Sequence, residues 1–437
     1  MIKGFIQVSL YVLIVILPLI LALFSGQQEG NILRNMGLGF ALMAISILAL
    51  QTVLAARIKW ITRAFGFDIV IRYHRNISIF ACCLLLLHPL LLILGGAGWS
   101  LVYFGNFFVW VGKAALLLVV LNVLTSVYQT RIKLKFERWR LLHDVISPTL
   151  ILLPFLHSWN VGMDLQSFPM QLLWIVLLGT AEVVFVYHRF IRPHRLARTP
   201  YEVTKVKQEA GKVWTVELTP PEGKAIFDYV PGQFQFIKFL RGRGLPEEEH
   251  HWTISSSPSQ KNYLSSTIKE LGDFTSTIGE TRPDDKAVVH APFGRFSYRF
   301  HPEEEELVFI AGGIGITPLM SMLRYMRDKK ESIPVTLLYG NPDRESVVFY
   351  DELGEMEKGE HPSLKVVHVL QEPGEDWTGE KGFIDRETIE KYCGNNLSGK
   401  GFYVVGPPVL IEKSTRNLKE LGVKDKRIHM EIFSFLD

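Results

Sequence analysis

The sequence has few cysteines. Only three occur in 437 residues, with Cys82 and Cys83 adjacent in an apolar run and Cys393 alone much later. No Cys-x-x-Cys spacing is present, which excludes the usual zinc and iron–sulfur patterns and a disulfide framework. The formal net charge is only +3. Because no basic stretch is interleaved with aromatic residues, nucleic acid is not an expected partner.

Acidic residues are scarce before about Arg198, whereas the remainder is rich in Lys and Glu. The mean hydropathy is +0.17, and the runs long enough to cross about 30 Å of hydrocarbon lie in the first part. They predict six membrane spans, at residues 5–24, 36–56, 69–93, 107–127, 141–160 and 170–190. We interpret the first as a retained helix, because it is long, contains Pro18 and lacks the small-residue cleavage site of a signal peptide.

Basic residues are concentrated in alternate connecting segments. Clusters follow the second, fourth and sixth spans, whereas the segments between them contain few charges. The clusters are Arg57, Lys59 and Arg63; Arg131, Lys133, Lys135, Arg138 and Arg140; and Arg189, Arg192, Arg195 and Arg198. The positive-inside rule then predicts a multi-pass protein of the cell membrane, with both termini and the soluble part in the cytoplasm.

Two pairs of histidines have the same spacing in two separate spans. His74 and His88 are fourteen residues apart, as are His143 and His157. In an α-helix fourteen residues rise about 21 Å and end about 40° short of four full turns, so each pair lies on one helix face near opposite ends of a span. Both helices are expected to run outward. The pattern therefore predicts two six-coordinate haems, an inner one held by His74 and His143 and an outer one held by His88 and His157.

The alternative is four unrelated histidines, but a histidine inside a membrane is costly and usually functional. Zinc fits less well, because the two levels are too far apart to share one ion. Lys113, near the outer end of the fourth span, is compatible with a haem propionate, with attraction of an anion, or with simple snorkelling to the interface. Glu182 in the sixth span has no assigned role.

After Tyr201 the pattern changes to short strands with alternating apolar residues, typical of an antiparallel barrel. After about Glu306 it changes again to strand, loop and helix, with buried strands typical of a parallel sheet. The turn AGGIGITP follows one such strand. Gly312, Gly313 and Gly315 would allow the backbone to approach a pyrophosphate at a helix N-terminus, and Thr317 would add a hydroxyl group. The alternative is a tight turn without a ligand.

The order of a barrel, AGGIGITP and the strand GFYVVGPP resembles the ferredoxin–NADP reductase superfamily. With paired histidines in six spans before it, the chain resembles the ferric reductase and NADPH oxidase family, most of all its compact bacterial NADPH oxidases. The resemblance implies an all-α six-helix membrane domain over 1–198, an antiparallel β-barrel FAD domain over 199–302 and an α/β Rossmann-like NAD(P) domain over 303–437. It also implies two haem b groups, FAD and NADPH, with NADH possible.

The resemblance assigns flavin-binding residues. The segment HHWT matches the family motif HPFT, with His251 in place of Pro and Trp252 in place of Phe. His250 would lie near the FAD phosphates, Trp252 would pack against the isoalloxazine, and Thr253 would hydrogen-bond near N5. Outside the motif, Trp252 would be taken for an ordinary core residue.

The segment LGDFTSTI resembles the second flavin motif, in which Gly272 and Thr275 would bind the pyrophosphate with Lys269 close by. The terminal strand HMEIFSFLD resembles the one whose aromatic residue covers the flavin. Phe435 is the first choice for that residue and Phe433 the second; the alternative is that both are core residues.

The nicotinamide site departs from the family pattern in two places. Val405 replaces the usual Cys before Gly406 and Pro407, which still fit a turn facing the cofactor. Arg344 follows a strand where a basic residue would bind a 2′-phosphate, but Asp343 beside it is unfavourable. The sequence favours NADPH without excluding NADH.

The resemblance implies electron flow from NAD(P)H through FAD and both haems to an acceptor outside the cytoplasm. Two axial imidazoles leave no open iron position, so the acceptor would react at the haem edge. Oxygen, giving superoxide, fits best; a ferric chelate is second, and a quinone or partner protein third. No obligatory protein partner is evident. A non-catalytic haem-binding sensor is the alternative of a different class.

Overall fold

The computed structural model describes residues 2–25, 31–394 and 396–432. The chain divides into two compact units, Met1–Pro193 and His194–Asp437.

The regular elements that the structure describes in the first unit are all helices. Its helices are α1 (Ile2–Phe24), α2 (Ile32–Ala55), α3 (Lys59–Phe65), α4 (Phe67–Leu92), α5 (Ser100–Tyr103), α6 (Phe107–Val127), α7 (Phe136–Val161), α8 (Phe168–Val186) and α9 (Arg192–Ala197), the last of which runs into the second unit. Within the described residues, six helical stretches are long and apolar enough to cross a membrane, as predicted. They are Gly4–Phe24, Ile32–Ala55, Phe67–Ala97, Phe107–Val127, Phe136–Val161 and Phe168–Ala197.

The helix boundaries differ from the sequence expectation at the basic ends. The fifth span begins at Phe136 instead of residue 141, so Arg138 and Arg140 belong to the helix and not to a loop. Arginine is a good helix former, and a change in hydropathy does not mark the end of a helix. The side chains of Asn31 and Asn106 cap the second and fourth spans by accepting hydrogen bonds from backbone amides three residues on.

The second unit begins with a six-stranded antiparallel sheet. Its strands are β1 (Tyr201–Ala210), β2 (Val213–Thr219), β3 (Phe234–Leu240), β4 (Glu249–Thr253), β5 (Leu264–Lys269) and β6 (Lys286–Phe293), in the order β4-β3-β6-β1-β2-β5. The sheet curves around an apolar core that includes Ile237 and Phe239. Just beyond β4, the Ser255 amide donates to the Ser265 carbonyl of β5 (2.8 Å), which brings the two sheet edges together.

A six-stranded parallel sheet follows. Its strands are β7 (Glu306–Gly312), β8 (Pro334–Asn341), β9 (Ser363–Leu370), β10 (Glu380–Lys381), β11 (Lys400–Val405) and β12 (Ile428–Glu431), in the order β10-β9-β8-β7-β11-β12. Its helices are α10 (Ile316–Lys329), α11 (Tyr350–Lys358), α12 (Arg386–Cys393) and α13 (Pro408–Glu420). Strand order reverses between β7 and β11, and in such sheets ligands bind beyond the carboxyl ends of the strands at this switch point. The predicted order of membrane helices, antiparallel sheet and parallel sheet is confirmed.

Two side chains of α10 join the two sheets. Arg324 donates to the Ser255 carbonyl (2.8 Å) and forms a bidentate ion pair with Glu352. Ser321 donates to the buried Ser256 carbonyl (2.8 Å). These bonds hold the two lobes of the second unit in one arrangement.

Candidate functional site

The inner pair of histidines comes together between α4 and α7. The ring centres of His74 and His143 are 6.3 Å apart, with an angle of 71° between the ring planes. A metal–nitrogen bond of about 2.0 Å, with the ring centre about 1.1 Å beyond the nitrogen, gives about 6.2 Å between two imidazoles on opposite sides of one metal. The spacing therefore fits one metal ion between the two rings.

The other nitrogens of the inner pair differ in their partners. Nδ1 of His143 lies 3.1 Å from the side-chain oxygen of Asn122 on α6. Trp139 stacks on the His143 ring at 5.3 Å between centres and donates to the Ser126 hydroxyl group (3.1 Å). Nδ1 of His74 is buried and forms no hydrogen bond of standard geometry in the described part of the chain, but the ring interacts with the backbone of Gln51 on α2. One inner ring is thus oriented by a side chain, and the other lies against the backbone of a neighbouring helix.

Both outer histidines donate to backbone carbonyls. Nδ1 of His88 lies 2.9 Å from the Gly37 carbonyl, and Nδ1 of His157 lies 2.8 Å from the Phe108 carbonyl. A carbonyl only accepts, so each ring carries its proton on Nδ1 and leaves Nε2 free as a ligand. This is the arrangement usual for metal-binding histidines, and it fits a haem at the outer level.

Two glycines allow the close approach at the outer level. A Cβ atom at Gly112 would lie 2.5 Å from Nδ1 of His157. A Cβ atom at Gly37 would lie 3.1 Å from the His88 carbonyl oxygen. Gly37, Gly112 and Asn122 were not singled out from the sequence. A polar Asn in an apolar span was the one signal available, because both glycines depend on contacts between helices.

The ammonium group of Lys113 is hydrogen-bonded within the protein. Its ammonium group donates to the carbonyls of Val102 (3.0 Å) and Phe104 (3.3 Å) and lies 3.8 Å from the centre of the Trp110 ring. These contacts favour anchoring of the segment between the third and fourth spans over attraction of an anion. Glu182 is half-buried.

The flavin-motif residues divide between two faces of β4. His250 and Trp252 lie on the face that packs on Phe274, with ring centres 4.3 and 5.9 Å from it. Thr253 is buried and pairs with Phe234 of β3. His250 Nε2 also lies 2.9 Å from the Glu248 carboxylate, a contact that the motif did not predict.

Phe274 belongs to the turn that carries the second flavin motif, so both motifs come together. The Thr275 hydroxyl oxygen accepts hydrogen bonds from the amides of Leu271 (2.8 Å) and Gly272 (2.9 Å) and thereby shapes the turn. A Cβ atom at Gly272 would meet no atom within 4 Å. Lys269 is exposed at the end of β5.

Two turns that contain glycine, at residues 312–315 and 406–407, meet at the switch point between β7 and β11. A Cβ atom at Gly315 would lie 2.6 Å from the Val405 carbonyl oxygen, and one at Gly312 would lie 2.8 Å from Pro407. Gly406 has φ +155°, and a Cβ atom there would lie 3.0 Å from the Gly312 amide nitrogen. These glycines are required by the close backbone approach, whatever ligand is bound.

Not every residue of this region is free for a cofactor. Gly313 has φ +53°, and a Cβ atom there would meet no atom within 4 Å. The Thr317 hydroxyl group is buried and donates to the Ile314 carbonyl (3.2 Å) at the start of α10. Thr317 therefore stabilises the turn itself.

Two neighbouring charged residues after β8, Asp343 and Arg344, have different partners. Asp343 accepts hydrogen bonds from the amide (2.8 Å) and hydroxyl group (2.7 Å) of Ser346, as in a helix cap. Arg344 is exposed, and its guanidinium lies 5.0 Å from the centre of the Tyr350 ring. The turn thus engages the carboxylate, and Arg344 lies on an aromatic ring at the surface. Phe433 and Phe435 lie outside the described residues.

Three family profiles match the chain in sequence order. They are a ferric reductase like transmembrane component at residues 40–154, an FAD-binding domain at 200–302 and an oxidoreductase NAD-binding domain at 309–416. This is the domain architecture of the ferric reductase and NADPH oxidase family.

Curated relatives match over part of their length. The flavohemoprotein of Bacillus subtilis is 26% identical, over 54% of this chain and 59% of that protein. The NADH-cytochrome b5 reductase 1 of Dictyostelium discoideum is 27% identical, over 44% of this chain and 68% of that protein. Among solved structures, the FAD/NAD-binding domain of a Vibrio cholerae nitric oxide dioxygenase is 22% identical, covering 53% of this chain and 97% of that one with a TM-score of 0.47.

Proposed function

We propose that this protein moves electrons from NAD(P)H across the membrane, through FAD and two haem b groups, to an acceptor on the extracytoplasmic side. The observation that carries the proposal is the arrangement of the four histidines. They lie at two levels of one helical unit, and the inner rings are spaced as one shared metal requires. Both outer rings keep Nε2 free for iron.

In this proposal, His74 and His143 hold the inner haem, and His88 and His157 hold the outer one. When bound, FAD would divide the two electrons of a hydride into single electrons, which the haems would accept one at a time. Asn122 and the carbonyls of Gly37 and Phe108 fix ring orientation, as oxygen atoms behind metal-bound histidines usually do. The segment between the third and fourth spans is held by Lys113.

The second unit supplies binding and orientation. The glycine turns at the switch point would allow a dinucleotide to approach the backbone closely, and the N-terminus of α10 would supply amide groups to its pyrophosphate. Thr253 and Phe435 are proposed to touch the reacting rings as catalytic residues. The proposed FAD and NAD(P) ligands are His250, Trp252, Thr253, Lys269, Gly272, Thr275, Gly312, Gly313, Gly315, Thr317, Arg344, Gly406, Pro407 and Phe435.

We propose oxygen as the acceptor, giving superoxide, with a ferric chelate second. Both termini are proposed to be cytoplasmic, in a cell-membrane protein with domains over 1–198, 199–302 and 303–437 and no obligatory protein partner. NADPH is favoured by Arg344, whereas several curated relatives, among them the NADH-cytochrome b5 reductase 1, carry NADH in their names, so both nucleotides belong in the assay.

The test is NADH and NADPH consumption by detergent-purified protein with added FAD in air. Cytochrome c reduction that superoxide dismutase abolishes supports superoxide production. Consumption that requires a ferric chelate and ignores dismutase supports the metal reductase. No consumption by protein that contains haem would refute both and favour the sensor.

A histidine variant tests the haem assignment. His88→Ala should lose one of two haems in a pyridine haemochrome assay and keep nicotinamide-dependent flavin reduction. His188→Ala is the matched control, because His188 contacts Arg192 in the same unit and belongs to neither level. Retention of both haems by His88→Ala would contradict the ligand assignment.

A further inference from the structure

Three metal-ligating side chains lie together near the start of β7, at the end of the parallel sheet opposite the glycine turns. His301 and Glu304 belong to the segment before β7, and His429 belongs to β12. One ligand atom from each residue lies within 4.8 Å of the others. None of the three belongs to the proposed haem, flavin or nicotinamide sites.

The Glu304 carboxylate at the centre of this cluster is fully buried, with a side-chain exposure of 0%. It accepts a hydrogen bond from the Tyr403 hydroxyl group (2.7 Å), and its other oxygen lies 2.6 Å from Nε2 of His429. Among the residues that the structure describes, His429 is the only basic side chain within ion-pair distance of this carboxylate. Buried carboxylates are retained where they are hydrogen-bonded, paired or bound to a metal ion, and the partners of this one are a hydroxyl group and an imidazole that can itself bind a metal.

A glycine in the sheet leaves room for the Glu304 carboxylate. Gly401 on β11 lies directly against Glu304, and a Cβ atom at this position would overlap the carboxylate group. Tyr403, two residues further along the same strand, pairs with His429 in the β11–β12 register. One strand therefore provides both the space for the acid and the hydroxyl donor that orients it.

The imidazole side of the cluster is open to solvent. The rings of His301 and His429 stack with their centres 3.9 Å apart, and their side chains are 28% and 13% exposed. An ion can reach the ring nitrogens from solvent while the carboxylate stays dry.

We propose that His301, Glu304 and His429 bind a divalent transition-metal ion, most suitably Zn²⁺. Two imidazole nitrogens and one carboxylate form a known zinc donor set with the fourth position left for water. Magnesium and calcium prefer oxygen ligands alone and are disfavoured. Tyr403 holds the carboxylate from behind, as partners of metal ligands do. Binding replaces the hydrogen bond between His429 and Glu304, with release of any proton that the rings carry.

The test is calorimetric titration of ZnCl₂ into the full-length, untagged protein after treatment with a chelator. Wild-type protein should bind one Zn²⁺ at this site, with no competition from excess Mg²⁺. His301→Ala should weaken that binding at least tenfold. His361→Ala is the matched control, because His361 is a partly exposed histidine elsewhere on the same unit that contacts Ser332, and it should leave binding unchanged.

His301→Ala is the primary variant because His429→Ala would leave a buried acid without its basic partner and could unfold the unit. The melting temperature gives a second readout: Zn²⁺ should raise it in wild-type protein and His361→Ala, and not in His301→Ala. Absence of 1:1 binding in wild-type protein, or unchanged binding by folded His301→Ala, would overturn the proposal and leave the cluster as a hydrogen-bonded tie. Neither result depends on the electron-transfer proposal.

Discussion

Replacement of Gly112 by Ala should damage the outer histidine level selectively. The added Cβ atom would lie 2.5 Å from Nδ1 and 2.6 Å from Cε1 of His157, closer than real contacts of this kind. The His157 ring has little freedom to move away, because its Nδ1 is hydrogen-bonded to the carbonyl of Phe108. Phe108 lies one turn before Gly112 on α6. The expected result is displacement of the ring from its ligand position.

The size of the effect follows from two costs. Overpacking of a filled site costs about 1–3 kcal/mol, and loss of the hydrogen bond to Phe108 adds about 1 kcal/mol. At about 1.4 kcal/mol per factor of ten, a total of about 2–4 kcal/mol weakens haem retention at this level by roughly 30-fold to 1000-fold. We therefore expect Gly112→Ala to purify with one haem per chain.

The assay is haem content by pyridine haemochrome, together with a reductive titration that counts spectroscopic components. Gly179→Ala is the matched control, because Gly179 also lies in a membrane helix and a Cβ atom there would meet no atom within 4 Å. Both substitutions gain similar helix propensity, so a difference between them reports the contact with His157. Two haems with unchanged spectra in Gly112→Ala would refute the reasoning.

Three further predictions address the other sites. Asn122→Leu should raise the midpoint potential of one haem in a redox titration and leave that of the other unchanged. The reason is that His143 loses the oxygen atom that increases its basicity. Equal shifts in both haems would contradict this prediction. Gly315→Ala should raise KM for NADH and NADPH at least tenfold, because the added Cβ atom would lie 2.6 Å from the Val405 carbonyl oxygen. Unchanged KM values would show that the turn does not bind the nucleotide. Arg344→Ala should raise KM for NADPH about tenfold, as expected for loss of a charged hydrogen bond to phosphate, and leave KM for NADH unchanged; equal effects on both would remove Arg344 from the 2′-phosphate site.

The histidine levels could be predicted from the sequence because the fourteen-residue spacing is a property of a single helix. The partners of these rings could not. Gly37 is 51 residues from His88, and Phe108 is 49 residues from His157, so both contacts arise only when helices pack. Backbone carbonyls carry no residue-type signal at all, which is why no sequence pattern would have found them.

The second unit shows the same division. The glycine turn was predictable because the strand, turn and helix around it are local features. That Thr317 donates to its own turn and that Asp343 accepts from Ser346 depends on side-chain orientation, which residue type does not determine. The cluster of His301, Glu304 and His429 was not predicted, because 125 residues separate the acid from the second imidazole.

The contacts between the two sheets of the second unit indicate which residues a recombined protein would have to keep. Arg324 and Ser321 reach across to Ser255 and Ser256, but both acceptors are backbone carbonyls. A different flavin-binding lobe with the same strand path would offer the same oxygens, whatever side chains it carried. Other contacts across this junction use side chains, since the Tyr298 hydroxyl group donates to Glu331 (2.7 Å) and Phe296 packs in the same apolar core as Met322. A chimera that replaces the flavin lobe should therefore need Tyr298 and Phe296 as well as Arg324 and Ser321.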